Sequence, residues 1–372
     1  MHFSDLKIIN NNISFKISNI DTCIVNSIRR IILSEIPNVA IYFDPYDMNR
    51  KDVIIHKNTG PLHNEFIGQR ISLIPLWFTE LEIINFKPEK YKFILKKHNK
   101  TMDIMNVTTG DFELYEDGKK IDSDKLFPKN PITNDYVLIT KLKPNIYNEE
   151  KGDEIDIECR ASVNIAKTHA RWCPVSKCCY HNIIDEEKAE KALKEKLKDV
   201  DDETRIKIEN KFNTLDKYRH YKTNKYDEPS EFQFDIESEC RMKPNYLFYK
   251  AIQILINKIE LLIKSKLSIT NVRNIPNFYE IQIKNEDFTL LNVLQALIYN
   301  YNFRDNPNNN ILEYIGYNQT HPLDNLMILK LKFNTDTDLT EFMIKNCTRI
   351  IEDLKQIAEK WAHISKLQNE LI

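Results

Sequence analysis

The sequence has few glycines, no long apolar run and no excess of either charge, and each shortage excludes a class of function. Six glycines in 372 residues form neither GxGxxG nor GxxxxGK[ST]. In those loops glycine lets the backbone wrap a phosphate, so nucleotide binding by these routes is excluded. No apolar run reaches the ~18 residues of a membrane helix. The formal net charge of −2 gives no general attraction to nucleic acid or acidic membranes.

Cysteine is also scarce, and its spacing argues against a disulfide framework. Seven cysteines, an odd number at irregular spacing, are typical of reduced thiols in an intracellular protein. The first residues show no secretory signal pattern. We therefore expect an intracellular location.

One cluster of thiols and imidazoles invites a metal or a nucleophile, namely His169, Cys173, Cys178, Cys179 and His181. Its spacing lacks the paired knuckles of a zinc site. If the segment is a strand, Cys178 and Cys179 point to opposite faces. A Cys/His nucleophile would need an orienting third group, and none is identifiable. Buried or edge thiols are the favoured interpretation, and we expect no metal, no cofactor and no catalytic site.

Two segments repeat one layout, an apolar strand that leads into a helix with a polar cap. The first runs from an alternating strand at 13–17 into a helix over 22–36, which Pro37 ends. The second runs from a strand over 278–284 into a helix over 289–300. Two related halves in one chain indicate an internal pair, which is an architecture of assembly more than of catalysis.

Each unit is followed later by a long helix whose apolar residues step alternately by four and three. One such stripe usually packs on its own sheet. Two stripes can instead pack against each other across a shared seam, and the repeated layout favours this second arrangement. The predicted internal interface consists of Val25, Ile28, Ile32, Leu290, Leu294, Phe248, Ile252, Leu255, Ile350, Leu354 and Ile357.

The remaining segments differ from these units in composition. Short β-like runs separated by turn residues predict a mostly β inserted domain at 41–171. Residues 185–228 hold twelve Lys/Arg against thirteen Asp/Glu, which favours a solvated insertion over a partner-binding arm. The stretch 265–276 is predicted as a linker. The predicted class is α+β, with one dimerisation domain formed by 1–40 and 172–270 and the other by 274–372.

Arg29 and Arg30 are adjacent on the first predicted helix, so their side chains project about 100° apart. Guanidinium forks suit bidentate pairing with the carboxylates of a partner. Taken alone, the two residues are equally typical of exposed arginines on an ordinary helix. Their sequence context decides between these interpretations.

Five segments resemble the alpha-like polypeptides of multisubunit DNA-dependent RNA polymerases. Residues 26–37 (NSIRRIILSEIP) resemble the first helix of the third-largest eukaryotic polypeptide and of its D-like archaeal equivalent. Residues 62–76 are similar to the DEF-and-GLIPL segment of that family, and 166–175 to its KEHAKWSPV loop. Residues 285–292 are similar to the NEDHTLGN motif of the smaller, L-like archaeal partner, and 316–323 to its GYxxxHPL motif.

The resemblance implies a D-like half fused to an L-like half as an intramolecular pseudo-dimer, an arrangement known from some large DNA viruses. It implies a non-catalytic assembly subunit, which docks the largest and second-largest polymerase subunits beside small zinc-binding subunits, with no membrane contact and little DNA contact. A viral source would place the protein in the cytoplasm of the infected cell and in the virion, and any other source in the nucleus. The implied docking residues are Arg29, Arg30, Lys167, His169, Arg171 and Trp172.

Two departures from the family pattern are visible. Leu291 stands where the L-like motif has glycine, and residues 41–158 contain none of the cysteines that bind zinc or an iron–sulfur cluster in many relatives. Two other classes stay open at this point. A nucleic-acid-binding or metal-binding module would need a basic or ligand-rich surface, and a thiol enzyme would need a cysteine of low pKa.

Overall fold

The computed structural model describes residues 1–47, 52–145, 147, 152–198, 200–265, 268–272, 275–305, 307 and 310–367. Its α-helices are α1 (Thr22–Ser34), α2 (Asn64–Ser72), α3 (Glu80–Ile84), α4 (Glu186–Lys196), α5 (Asp202–Lys211), α6 (Pro244–Lys264), α7 (Phe288–Tyr299) and α8 (Leu339–Ile364). Its strands are β1 (His2–Ile9), β2 (Asn12–Ser18), β3 (Asn38–Ala40), β4 (Val53–Asn58), β5 (Tyr91–His98), β6 (Met105–Thr108), β7 (Phe112–Glu116), β8 (Lys119–Ile121), β9 (Leu138–Leu142), β10 (Glu154–Cys159), β11 (Ser162–Asn164), β12 (Val175–Asn182), β13 (Glu231–Ser238), β14 (Ser268–Asn271), β15 (Phe278–Lys284), β16 (Leu312–Gln319) and β17 (Leu326–Phe333). Within this part of the chain, no helix combines the length and the apolar character needed to cross a bilayer.

The first half is built on a four-stranded antiparallel sheet in the order β1-β2-β13-β12. Alternate side chains of β2 and β13 are buried, as expected for strands with one face on a core. Phe15 and Phe234 stack on that face, with ring centroids 5.5 Å apart. Helices α1 and α6 cover it, and α1 begins at a cap in which Asp21 accepts a hydrogen bond from the backbone N–H of Cys23.

The second half repeats this plan strand for strand. Its sheet has the order β14-β15-β17-β16, and α7 and α8 follow β15 and β17 as α1 and α6 follow β2 and β13. The register repeats as well, because β2 pairs with β13 from Ser18↔Glu231 and β15 pairs with β17 from Lys284↔Leu326. A bulge begins at the first residue of both β12 and β16. The two halves are therefore equivalent residue by residue through these elements.

The turn into the first helix of each half uses the same backbone conformation. Asn19 and Asn285 both have a left-handed backbone, with φ of 56° and 61°, which asparagine tolerates better than most residues. Each stands two residues before its cap aspartate, Asp21 or Asp287. This turn fixes which residues correspond between α1 and α7.

Between β2 and β12 the chain forms an inserted unit with its own sheet. Five strands lie in the order β4-β10-β5-β7-β8, and two short antiparallel pairs, β6-β9 and β11-β3, flank them. The alternating β pattern predicts these strands, whereas α2 and α3 are not predicted. Buried Phe93 and Phe112 lie on neighbouring strands of this sheet.

Two segments differ from what the sequence predicts. Within the predicted linker, Ser268–Asn271 forms β14 and pairs with β15, so the linker interpretation is wrong for these residues. All four β14 side chains are exposed, which removes the apolar alternation that would have marked a strand. The charged segment 185–228 carries α4 and α5 and also contacts the second half, since Arg304 donates to Glu228 at 2.6 and 2.7 Å.

The two halves share one apolar cluster. Helix α6 packs against α8, and α1 packs against both α6 and α7. The buried residues of both sheets and all four helices belong to this cluster. The contact between the halves is therefore a core.

Candidate functional site

Helices α1 and α7 lie antiparallel across the contact between the halves. At one end, Asn300 Nδ2 donates to Asp21 Oδ2 at 2.8 Å. At the other end, Arg30 Nε donates to Thr289 Oγ1 at 2.8 Å. Between them the buried Ser27 hydroxyl donates to the Thr289 carbonyl at 3.1 Å. These bonds fix the axial register of two helices whose remaining contact is largely apolar.

Asp287 is an ionic centre at the start of α7. Its carboxylate accepts from the backbone N–H of Thr289 at 2.8 Å, and it lies 3.2 Å from Lys167 Nζ and 3.9 Å from Arg30 Nη2. Burial acts to raise the pKa of Asp287, but hydrogen bonds from Thr289 and the charge of Lys167 outweigh it and lower this pKa to about 2. Arg30 and Lys167, both predicted to dock a partner, thus join the two halves of this chain.

A second ionic contact joins α6, the end of α1 and the turn before α7. Lys258 Nζ lies 2.6 Å from a Glu35 carboxylate oxygen and 2.8 Å from one of Glu286. The Lys258 side chain is 14% exposed. Burial acts to lower the pKa of Lys258, but its hydrogen bonds to Glu286 and Glu35 raise it; burial raises the pKa of Glu286. The lysine is the counter-ion of two buried carboxylates from different halves.

Trp361 of α8 inserts into the aromatic core of the first half. Its ring centroid lies 4.5 Å from those of Phe15 and Phe248 and 5.1 Å from that of Phe3. The indole Nε1–H donates to the Asn245 carbonyl at 2.8 Å. A fully buried tryptophan with a satisfied N–H is a strong anchor between two surfaces.

The residues predicted for the internal interface all lie in the apolar cluster shared by the halves. They are at most 6% exposed, and the structure places them on α1, α6, α7 and α8. These are the helices that meet between the halves. The residues in question are Val25, Ile28, Ile32, Leu290, Leu294, Phe248, Ile252, Leu255, Ile350, Leu354 and Ile357.

The predicted docking loop is exposed at its tip and buried at its base. Lys167 and His169 are exposed, and His169 accepts a hydrogen bond from the backbone N–H of Arg171 through its ring Nδ1. Trp172 is fully buried and donates from Nε1 to the Ser162 carbonyl at 3.1 Å. Direct docking by Trp172 is therefore corrected, because this side chain has no exposed surface and instead supports the loop.

Arg171 and Arg29 differ in how far they are already engaged. Arg171 Nη2 donates to the Phe43 carbonyl at 2.8 Å, and its guanidinium lies 4.9 Å from the ring centre of Tyr42. Arg29 donates from Nε and Nη2 to Asn26 Oδ1 at 3.2 and 3.1 Å. Arg29 borders an open groove, of about 580 Å³, together with residues of β12. Since a guanidinium has five N–H donors, Arg29 keeps donors directed at this groove.

Comparison with known proteins now decides the family. The profile described as the RNA polymerase Rpb3/Rpb11 dimerisation domain matches residues 14–259. The chain belongs to the Rpb3/Rpb11 family. A second profile with the same description matches residues 279–360, so both halves of this Rpb3/Rpb11 protein carry the domain. The resemblance inferred from sequence motifs is confirmed at the level of the family.

Several relatives of this Rpb3/Rpb11 chain are polymerase subunits by name. DNA-directed RNA polymerases I and III subunit RPAC1 of Saccharomyces cerevisiae is 26% identical over 294 residues, which are 67% of this chain and 82% of that protein. DNA-directed RNA polymerase subunit Rpo3 of Pyrobaculum arsenaticum is 30% identical over 190 residues, 50% of this chain and 66% of that protein. A conjugation stage-specific protein of Tetrahymena thermophila is 30% identical over 172 residues, 43% of this chain and 53% of that protein, so the match spans about half of that relative.

The Rpb3/Rpb11 chain also has a candidate surface that residue patterns alone did not single out. Helix α2 buries Ile67 and Ile71, while Phe66 and Leu73 are 57% and 55% exposed. The helix packs so closely on Phe43 that a Cβ atom added at Gly68 would lie 2.5 Å from the Phe43 ring. The helical spacing of the apolar residues within 62–76 was the available signal, because it leaves two large side chains off the buried face.

The thiols of this Rpb3/Rpb11 chain are donors to backbone carbonyls. Cys173 Sγ lies 3.2 Å from the Val175 carbonyl oxygen, and Cys178 Sγ lies 3.8 Å from that of Arg29. Burial raises the pKa of both thiols, which opposes formation of a nucleophilic thiolate. Among the residues that the structure describes, no three His, Cys, Asp or Glu side chains are grouped to hold a metal ion.

Proposed function

We propose that this chain is a non-catalytic assembly subunit of a DNA-directed RNA polymerase, in which a D-like and an L-like half pair within one polypeptide. The observation that carries the proposal is the duplication itself: two register-matched units pack through α1–α7 and α6–α8. Relatives of the chain are named as polymerase subunits. The two large catalytic subunits are the proposed partners of the paired unit, with small zinc-binding subunits beside them.

The internal pairing is supported by the physical character of the contact. Trp361 fills a first-half core, and Lys258 and Asp287 each bind charged groups from the opposite half. An interface with a buried aromatic anchor and satisfied polar groups is typical of a permanent association. Joining the halves covalently adds an effective concentration on the order of millimolar.

The proposed docking face lies around the segment 41–43. The Phe43 carbonyl holds Arg171 at the base of the 167–170 loop, and the Phe43 ring supports α2 at Gly68. The exposed loop tip and the exposed side chains of α2 are therefore anchored to the same backbone. We assign the large subunits to this face and to the Arg29 groove, with Trp172, Arg171 and Arg30 as supports. The nearly balanced charge of the chain agrees with little direct DNA contact.

Affinity purification of the tagged full chain from its native source tests the proposal. Quantitative mass spectrometry should find both large polymerase subunits in amounts equal to this chain. Phe66→Ser should reduce that recovery, whereas the matched control Ile206→Ser should not, because Ile206 is equally exposed, at 61%, on the charged insertion. A chain that purifies without either large subunit contradicts the proposal. The viral source, the virion location and transcription in the cytoplasm stay predictions from the sequence.

A further inference from the structure

The duplication shows which residues occupy equivalent places at the two ends of the α1–α7 pair. Lys258 of α6 and Asp353 of α8 lie at the same distance along their helices, which both begin six residues after the end of the preceding strand. Glu35 corresponds to Tyr301, since each lies at the same distance from the start of α1 or α7. The residue before each cap aspartate is Ile20 in the first half and Glu286 in the second.

Within each half, these equivalent residues contact each other in the same way. Lys258 binds Glu35 at 2.6 Å, and Tyr301 donates to Asp353 at 2.5 Å. The geometry of the site is therefore repeated, while its charge is inverted: one copy presents a lysine and the other a carboxylate.

Across the halves, only one of the two copies receives an ionic partner. Glu286 reaches over to Lys258 at 2.8 Å. The residue that corresponds to Glu286 is Ile20, which is 8% exposed, and it lies beside Asp21, whose carboxylate holds Asn300 next to Tyr301. The two ends of the helix pair thus have polar groups that cannot be exchanged for each other.

We infer that Glu286, Lys258 and Asp353 form a pairing code that admits one first half with one second half and rejects two second halves. In a pair of second halves, Glu286 of each copy would face Asp353 of the other copy where it now faces Lys258. The inference deepens the internal pairing under Proposed function and rests on it.

Charge and symmetry determine what this code rejects. A pair of second halves would be isologous, so the buried contact between two carboxylates would occur twice, and like charges at such distances oppose ionisation of both groups. Arg349, the cation beside this site, lies over the Tyr301 ring at 3.8 Å and pairs with Asp305 at 2.7 Å.

A pair of first halves meets no such repulsion. Ile20 of one copy would face Lys258 of the other copy, and the Lys258–Glu35 ion pair would persist inside each copy. The rejection therefore acts on the second half alone.

The test uses the full chain cut in place at a protease site inserted between Val272 and Ile275, then warmed to let pairs exchange. Native mass spectrometry should find pairs of unlike halves and no pairs of second halves. Asp353→Lys, which places a cation opposite Glu286, should raise the population of second-half pairs by about tenfold or more, the ratio for one pKa unit of interaction. The matched control Glu352→Lys makes the same charge change on the neighbouring exposed residue and should behave like the unmodified chain.

Two results separate the inference from the proposed function. If second halves pair with each other as readily as with first halves, or if Asp353→Lys and Glu352→Lys give equal populations, the code is wrong although internal pairing stands. If no halves associate after the cut, the internal pairing itself fails.

The uncut chain supplies an independent measurement. Lys258→Glu and Glu286→Lys should each lower the urea midpoint, because each places like charges together in a buried contact. The double variant should recover more than half of the summed loss, since it restores an ion pair across the halves. A double variant whose midpoint falls by the full sum would show that Glu286 and Lys258 are not coupled, and would overturn the code.

Discussion

Trp361 offers the most direct measure of how strongly the two halves are held together. Trp361→Ala would remove a fully buried indole from contact with three phenylalanine rings and leave the Asn245 carbonyl without its donor. Truncation of a buried tryptophan costs about 3–5 kcal/mol, and most of that loss should fall on the contact between the halves. A loss of about 4 kcal/mol corresponds to a roughly thousandfold weaker association.

Urea denaturation of the full chain, followed by near-ultraviolet circular dichroism, measures the stability loss. Association of the halves is measured after the chain is cut between Val272 and Ile275, by the concentration at which the pair separates. Trp361→Phe should cost much less, because it keeps a ring and loses the indole N–H bond, which is worth about 1 kcal/mol. Phe93→Ala is the second control, since it opens a cavity in the inserted sheet and should leave association of the halves unchanged.

The reasoning fails if Trp361→Ala costs less than about 1 kcal/mol, the typical effect of an unremarkable substitution. It also fails if Trp361→Ala and Phe93→Ala change association of the halves equally. In either case the aromatic contact would be incidental to pairing.

Three further predictions concern single side chains. The Asp287 carboxylate should contribute stability at pH above its ordinary range, a contribution lost as the pH falls toward the folded-state pKa of about 2; the urea midpoint of the unmodified chain should then approach that of Asp287→Asn, and two curves separated equally at all pH values would refute this. Lys258→Met should destabilise by about 3–5 kcal/mol by leaving carboxylates buried without their cation, with partial recovery on acidification as Glu286 takes up a proton; a thermal melt with no pH dependence of the loss would contradict it. Gly68→Ala should lower the melting temperature, at a cost of about 1–3 kcal/mol, because its Cβ would meet the Phe43 ring; an unchanged melt would show that the ring moves freely.

The sequence predicted the paired helices well because local signals defined them. The helix predicted over 22–36 is observed at Thr22–Ser34, and the one predicted over 289–300 at Phe288–Tyr299. An aspartate cap and a 3.6-residue apolar period are short-range features that tertiary structure rarely overrides. By contrast, β14 has no buried side chain, so its strand character comes from pairing with β15 and leaves no pattern to read.

The candidate site was less predictable, since it depends on contacts between residues far apart in the chain. Lys258 and Glu286 carry no mark in the sequence that joins them, and Glu35 lies further still from both. Trp172 shows the opposite limit. Its place in a family motif predicts an exposed docking residue, while the burial of one aromatic side chain in a loop depends on the strands packed around it.

The short connection between the halves also has a consequence for how the protein is supplied. Helix α6 ends at Lys264 and β14 begins at Ser268, so the second half is synthesised directly after the helix on which it must pack. In the proposed assembly, every ribosome that completes the chain delivers both halves in a one-to-one ratio, and their meeting is first order in protein. Pairing would then proceed at the same rate however little of the protein is made, whereas separately encoded subunits must first find each other by diffusion.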